Sequence, residues 1–369
     1  MRNNHKICHI STVHSAFDVR IFHKECKTLA NNGFDVSLII TYNKNETVDG
    51  VTLYPIKNTT GRLRRVTIKQ FYAFREAIKI DADIYHLHDP ELIFLGILLK
   101  LNGKKVIYDS HEDLPRQILS KPYINDFLKP VISKVVELTE DSLIRYFDAV
   151  ITVTDDIERR FKKINKNTVD IRNYPLLEEN TIPYNFSKKE NEICYVGGVS
   201  EYRGIYELIE SLNYSKIKLN LAGNFEDKNF EKKCKQSEGW KYVNYYGFVS
   251  RKEIVNILNK SSIGIVTLHP LVNYLDSLPI KMFEYMAAGL PVIASDFPKW
   301  REIIESNNCG ILVDPKDPIA IANAINYLTD NKDIAMKLGE NGRKAVLSKY
   351  NWDIESKKLI NLYEDLLKG

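Results

Sequence analysis

The sequence predicts an α/β protein built from two doubly wound parallel sheets in series, and three observations carry that expectation. Short β-branched apolar runs alternate with segments of helix length along most of the chain, the pattern of strand, crossover helix and parallel strand. The alternation stops once, near residues 176–190, and then restarts. A length of 369 residues suits two domains of ordinary size, each able to bury its own core.

In chain order, "KICHIS", "DVSLIIT", "DIYHLHD", "KVIYDSH" and "AVITVTD" read as strands with helices between them. The stretch "LLEENTIPYNFSKKE" is polar, carries a proline and has no periodicity, as a linker does. Beyond it "EICYVGG", "IKLNLAG", "KYVNYYG", "IGIVTLH" and "PVIASD" form a second strand series. The closing "WDIESKKLINLYEDLLKG" has apolar residues at helical spacing. The expected division is therefore residues 1–187, residues 188–350 and a terminal helix over 351–369.

Composition narrows the function classes. With 44% hydrophobic and 27% charged residues the chain is globular. A net charge of +4 is mild for this length, so no nucleic-acid partner is expected. Cys8, Cys26, Cys194, Cys234 and Cys309 are scattered singly, without a CxxC pair or a histidine at metal-ligand spacing. They read as free thiols in a reducing compartment, with no metal implied. No run of eighteen apolar residues occurs, and "MRNNHKICHIST" lacks the apolar core of an export signal, so a cytoplasmic location is expected.

Open parallel sheets bind ligands beyond the carboxyl ends of their strands. Two such domains place the expected site in the cleft between them. His88 and Asp89 follow one strand, His111 another, Gly197 and Gly198 a third, and Asp276 comes shortly after a fourth. His86 and His88 alternate along one strand, so only one of them is expected to point at a given face; one is expected to serve the fold, and His88 at the strand end is the candidate for the site.

The stretch "DSLPIKMFEYMAAGLPVIASD", residues 276–296, is the most informative. Pro279 suits the first turn of a helix, where its missing N–H costs nothing, and Gly289 suits the end of that helix. The helix start offers unpaired N–H groups and a positive dipole end to a phosphate. Glu284, one turn further in, can accept both hydroxyls of a ribose. A sugar nucleotide carries both groups.

This stretch resembles the signature of the retaining glycosyltransferases of family 4, which have the GT-B fold of two facing Rossmann-like domains. "CYVGGVSEYRGIYELIESL" is similar to the first strand and helix of that family's C-terminal domain, and "YGFVSRKEIVNIL" to its nucleobase loop. "YNWDIESKKLINLYEDLL" is similar to the terminal helix that crosses back to the first domain. The resemblance implies a hexosyl- or N-acetylhexosaminyltransferase of bacterial surface-polysaccharide synthesis, with an acceptor-binding first domain and a donor-binding second. It implies that Glu284 holds the donor ribose, that Asp276 contacts the donor sugar, and that main chain around Leu278, Pro279 and Ile280 approaches the sugar or phosphate. Phe248 and Val249 border the base, and His111 sits at the reaction centre. UDP is the expected base, with GDP next. The departing diphosphate helps to deprotonate the acceptor, so no separate nucleophile or cofactor is needed.

The chain departs from the family pattern at three points. Asp276 replaces a glutamate. Gly198 stands where the family has an arginine, and Arg203 where it has a lysine. The missing diphosphate cation is assigned to Lys281, three residues before Glu284. The usual Gly-Gly loop after the first strand is absent, and "HISTVHSAFDVRIFHKE" takes its place. There Asp18 is expected to cap a helix, while His14 and Arg20 are acceptor-side candidates together with His88. Residues 57–79 concentrate Lys57, Arg62, Arg64, Arg65, Lys69, Arg75 and Lys79 among Leu63, Val66, Ile68, Phe71, Tyr72 and Phe74. Such a segment can rest on an anionic membrane surface near a lipid-linked acceptor, or it can cover the sheet with its aromatics in the core. The alternatives to a glycosyltransferase are a non-catalytic GT-B subunit supporting a partner transferase and a GT-B nucleotide-sugar epimerase.

Overall fold

The computed structural model describes residues 5–59, 61, 64–119, 121, 124–177, 186 and 189–368. The chain divides into two compact units, Met1–Asn173 with Asp353–Gly369, and Tyr174–Trp352. The first change of unit falls ahead of the polar stretch because Tyr174 is already buried in the second core, with its ring 4.7 Å from Phe283 and 5.4 Å from Tyr350 between centroids. Most of the 176–190 stretch lies outside the described residues.

The first unit holds β1 (Lys6–Ile10), β2 (Asp35–Thr41), β3 (Glu46–Val48), β4 (Val51–Ile56), β5 (Ile84–Leu87), β6 (Lys105–Ser110), β7 (Ala149–Thr152) and β8 (Thr168–Asp170). Their order across the sheet is β3-β4-β2-β1-β5-β6-β7-β8. β5 and β7 are buried along their whole length and β6 beyond Lys105, as strands covered on both faces must be. Order reverses between β1 and its neighbours β2 and β5, which opens a crevice at the carboxyl ends of β1 and β5.

Two strands were not legible as a pair. β3 and β4 form an antiparallel hairpin at the sheet edge, closed by Asp49 and Gly50 at φ 49° and 81°, the two left-handed positions that an Asp-Gly turn supplies. The sheet is therefore mixed rather than wholly parallel. Pro55 in β4 lies beyond Leu53, where pairing with β3 ends, so its missing N–H removes no ladder bond on that side.

The second unit holds β9 (Glu192–Val196), β10 (Lys218–Ala222), β11 (Val243–Gly247), β12 (Ile263–Val266), β13 (Val292–Ser295) and β14 (Gly310–Val313). The order is β11-β10-β9-β12-β13-β14, with parallel pairing throughout. Its reversal point lies at the end of β9, where Gly197 and Gly198 follow.

The helix Trp352–Lys368 buries Leu359, Leu362 and Tyr363 and belongs to the first unit from Asp353 onward. The Tyr363 hydroxyl lies 2.7 Å from His86 Nδ1. All five cysteines are buried and unpaired. Among the described residues no helix is long and apolar enough to cross a membrane.

The helix Gln70–Ile80 corrects one expectation. It buries Ala73 and Ala77 and turns Phe71 and Tyr72 outward, 64% and 43% exposed. The small residues face the sheet because the helix packs close to it. Lys69 is buried, with its ammonium donating to the Thr12 carbonyl, so it belongs to the interior and not to the basic surface. Arg62 and Leu63 lie outside the described residues.

Candidate active site

In the second unit, β9 delivers the chain into a turn whose first residue takes a conformation that favours glycine. Gly197 has φ 135°, and a side chain there would start 2.7 Å from Lys281 Nζ. One at Gly198 would start 2.9 Å from Glu226 Oε1 and 3.6 Å from Arg203 Nε. The two glycines thus clear a floor around which Lys281, Arg203 and Glu226 converge. Arg203 comes from the short turn Glu201–Arg203, which the left-handed Gly204 ends.

Lys281 is nearly buried, its ammonium 2.7 Å from the Tyr195 hydroxyl and 3.9 Å from the centre of that ring. Burial first, and the neighbouring Arg203 second, hold this ammonium well below the usual lysine range. Arg203 goes the other way: burial works against its charge, and Tyr195, Tyr274 and Glu226 outweigh it. Arg203 pairs loosely with Glu226, 3.7 Å from Nε to Oε1.

The helix Ile280–Ala287 carries Lys281 and Glu284. It starts one residue later than the proline suggested: Pro279 is the residue just outside, in extended conformation at φ −68° and ψ 123°, and its carbonyl accepts from Met282 N. Gly289 at φ 68° follows the helix end. Glu284 is buried and paired with Arg251, 2.6 Å from Nη2 to Oε1. Arg251 opens the helix Arg251–Lys260, which Ser250 and Glu253 start with a reciprocal capping box. Just before it, Phe248 is 82% exposed while Val249 packs on the core. Asp276 is exposed, 3.9 Å from Lys299 Nζ.

In the first unit, the ends of β1, β5 and β6 bring together a buried ionic network. Asp109 is fully buried and accepts from Arg20 Nε and Nη2, each at 3.0 Å, and lies 2.9 Å from His111 Nε2. Burial alone would raise this carboxyl; Arg20 and then His111 outweigh it and hold it well below the usual range. Arg20 also donates to the Ile171 carbonyl at 3.1 Å, and Asp18 caps its helix by accepting from Arg20 N and Ile21 N. His88 lies 3.3 Å from His111 and 2.9 Å from His9, and burial pushes it down to about 4.

Nearer the surface, Asp89 accepts from Ser11 Oγ and from Thr12 N, at 3.0 and 2.5 Å. His14 stands between Asp18 and Asp89, 3.4 and 3.6 Å away. Burial opposes its protonation, yet these carboxylates raise it above the usual histidine value. Two groups are close enough to hold one cation each, His88 with Asp109 and His111, and His9 with Glu25, His86 and His88.

Two family models match these two units in turn. Residues 19–171 match "Glycosyltransferase Family 4" and residues 178–345 match "Glycosyl transferases group 1", leaving out only the two ends and a short join. The chain is a glycosyltransferase of the group 1 and family 4 type. It is 24% identical to an uncharacterized glycosyltransferase of Methanocaldococcus jannaschii over 92% of this chain and 93% of that one. It is 21% identical to the O-antigen chain mannosyltransferase C of Escherichia coli, over 89% and 86%. The structure of Anabaena Alr3699/HepE, solved with UDP-glucose, superposes with a TM-score of 0.74 over 98% of this chain and all of that one, at 15% identity. The fold is GT-B, and the activity is glycosyl transfer in glycan biosynthesis.

In this glycosyltransferase the residues singled out from sequence fall into two sets, one per unit. Gly197, Gly198, Arg203 and Lys281 converge, Glu284 lies on the helix of Lys281, Ile280 opens that helix, and Leu278 and Pro279 lead into it. His111, His88 and Arg20 meet on Asp109. Arg20 is buried with its donors used internally, so it reaches no acceptor directly and acts through Asp109. His86 and His88 do not divide between faces. Residues two apart on a strand point the same way, and their rings stack 4.3 Å apart.

Sequence reasoning missed Asp109, Glu25, Tyr195, Arg251 and Tyr363. Asp109 alternates with His111 in "IYDSH", and that spacing was the available signal. The others come from distant segments.

Proposed function

We propose that this glycosyltransferase is a retaining hexosyl- or N-acetylhexosaminyltransferase using a nucleoside diphosphate sugar, UDP first and GDP second, with a glycan or lipid-linked acceptor. The observation that supports the donor half most is the convergence of Lys281 and Arg203 on the Gly197–Gly198 turn, with Glu284 buried on the same helix as Lys281. The two cations and the first N–H groups of that helix neutralise the diphosphate. Glu284, oriented by Arg251, accepts the two ribose hydroxyls. Asp276 meets the sugar, while Phe248 and Val249 border the base.

In this reading the bond from the anomeric carbon to the diphosphate breaks, and the acceptor oxygen bonds on the same face of the sugar. The acceptor proton passes to the departing phosphate oxygen. The service required of the protein is electrostatic stabilisation of that leaving group. His111, fixed by Asp109 and His88, lines the reaction centre; His14 stands on the acceptor side; Arg20 and His88 are positioning residues.

Thermal unfolding with UDP, GDP, ADP and CMP side by side tests the donor assignment. One diphosphate is expected to raise the midpoint by several degrees, as binding at about a hundred times Kd adds roughly 2.7 kcal/mol, and Glu284→Ala is expected to abolish the shift. No shift with any nucleotide in folded protein overturns it.

The exposed side chains Ile68, Phe71 and Tyr72, beside Arg64, Arg75 and Lys79, support a further part of the reading, contact with an anionic membrane at the acceptor side. Co-sedimentation with phosphatidylglycerol vesicles but not with phosphatidylcholine vesicles is expected. Phe71→Ser is expected to weaken it about tenfold, the worth of one buried aromatic. Equal pelleting with both lipids, or with neither, removes the membrane from the assignment.

A further inference from the structure

We propose that the first unit holds a buried structural zinc ion between His9 Nδ1, Glu25 Oε2, His86 Nε2 and His88 Nε2, behind the histidine that the transfer reaction uses. The four residues come from β1, from the helix Val19–Cys26, from β5 and from the residue just after β5, and all are buried. Their candidate ligand atoms all lie within 4.8 Å of one another.

The spacing suits a small ion. His9 Nδ1 is 2.9 Å from His88 Nε2, and Glu25 Oε2 is 4.0 Å and 3.8 Å from those two nitrogens. Tetrahedral zinc with bonds of about 2.0–2.1 Å sets its ligand atoms roughly 3.4 Å apart, so these edges straddle the required value.

Two of the four atoms lack a hydrogen bond, although Asp109 Oδ2 lies 3.8 Å from His86 Nε2. Glu25 Oε2 and His86 Nε2 are buried without a hydrogen-bond partner, and each turns toward the group. A buried polar atom in that condition calls for an explanation, and one cation between the four side chains gives both of them a partner at once.

The outer shell is already built. A metal-bound imidazole is usually held through its other nitrogen, and that holds for all three histidines here. His86 Nδ1 and His9 Nε2 meet the Tyr363 hydroxyl at 2.7 Å and 3.3 Å, and His88 Nδ1 lies 3.4 Å from Asp109 Oδ2. The remaining Glu25 oxygen, Oε1, lies 3.0 Å from Arg20 Nε. Imidazole nitrogens with one carboxylate favour zinc over magnesium or calcium, which prefer oxygen. With four protein ligands and no open position, such a site is structural rather than catalytic. It ties β1, β5 and the first helix together beneath His111.

Elemental analysis of the untagged full-length chain, grown with zinc and desalted, tests this. About one zinc per chain is expected. Chelator-stripped protein is expected to unfold at lower temperature, to recover with Zn²⁺ and not with Mg²⁺, and to show the visible absorption of four-coordinate cobalt when Co²⁺ is added instead. His86→Gln and Glu25→Gln are expected to lose the retained zinc, whereas His111→Gln keeps it. Folded wild-type protein that carries no zinc and gains no thermal stability from Zn²⁺ overturns the proposal. So does zinc that survives His86→Gln but leaves with His111→Gln, which would put the ion on His88, Asp109 and His111. Should a ligand variant fail to fold, the cobalt spectrum and zinc response of stripped wild-type protein decide alone. Nucleotide binding by the second unit is read separately from zinc retention, so either result can fail without the other.

Discussion

Asp109→Asn is expected to cost about 3 kcal/mol of stability and to lower transfer activity at least a hundredfold while leaving nucleotide binding intact. Asp109 is the buried carboxylate on which Arg20 and His111 depend. Removing one partner of a buried pair leaves the other charge uncompensated, at a typical cost of about 3–5 kcal/mol. The low end applies because Glu25 Oε1 is also 3.0 Å from Arg20 Nε. Urea unfolding measures the stability term. Adding Arg20→Met to Asp109→Asn is expected to recover part of it, because the unpaired guanidinium is then gone. Additive losses in the double variant would show that the pair is not the source.

The pH dependence has a definite sign. The folded Asp109 carboxyl lies well below its ordinary value of 3.8. Its contribution is therefore complete above the unfolded value and disappears as pH falls toward the folded one. The stability gap between wild type and Asp109→Asn is expected to be constant near neutrality and to shrink below about pH 4. Activity falls for a different reason: His111 loses the carboxylate that sets its ring. A variant with full activity would remove His111 from the reaction centre, since no other carboxylate bond to His111 replaces it among the described residues.

The central strands were legible because β-branched runs bounded by turn residues leave few other choices. The local signal of the β3–β4 hairpin is the Asp-Gly turn in "TVDGVTL", which lies outside the parallel alternation that marks the central strands. β8 is only three residues long and pairs at the rim of its sheet, too short for periodicity to register.

The donor side was legible in part because its residues sit within one short segment, where the spacing of Lys281 and Glu284 is fixed by the helix. Arg251 was missed although it lies in the stretch read as the nucleobase loop, because its contact with Glu284 crosses between two helices. On the first unit the reading failed more deeply. The network around Asp109 draws on β1, β5, β6, the first helix and the terminal helix, and no local pattern announces a meeting of five segments. The cysteines and histidines showed no metal-ligand spacing for the same reason: metal motifs are recognisable when ligands are neighbours in sequence, and these four lie as far apart as residues 9 and 88.

Lys281→Met is expected to lower affinity for the nucleoside diphosphate by about tenfold to a hundredfold, matching the roughly 1.5–3 kcal/mol of a hydrogen bond to a charged group, and to raise the stability of the unliganded protein. Both effects follow from one feature. The ammonium is enclosed by the Tyr195 ring, the Gly197 turn and Arg203, and burial makes its charge costly until an anion arrives. A lysine whose folded pKa lies below its unfolded value of 10.5 opposes folding most fully at low pH, and the penalty is relieved as pH rises through the folded value toward the unfolded one. Wild-type stability is therefore expected to climb relative to Lys281→Met across that window. Donor binding runs the opposite way. The diphosphate needs the charged form, so affinity is expected to fall as pH rises above the free-protein pKa, and binding above that pKa is expected to take up protons from the buffer until the lysine is neutral in the complex as well. Calorimetric titrations in two buffers of different ionisation enthalpy read that uptake directly, and Lys281→Met is expected to abolish it while Arg203→Ala, which removes a cation charged throughout, weakens binding without abolishing uptake. Unchanged affinity and unchanged proton uptake in Lys281→Met would return the diphosphate to Arg203 and the helix start alone.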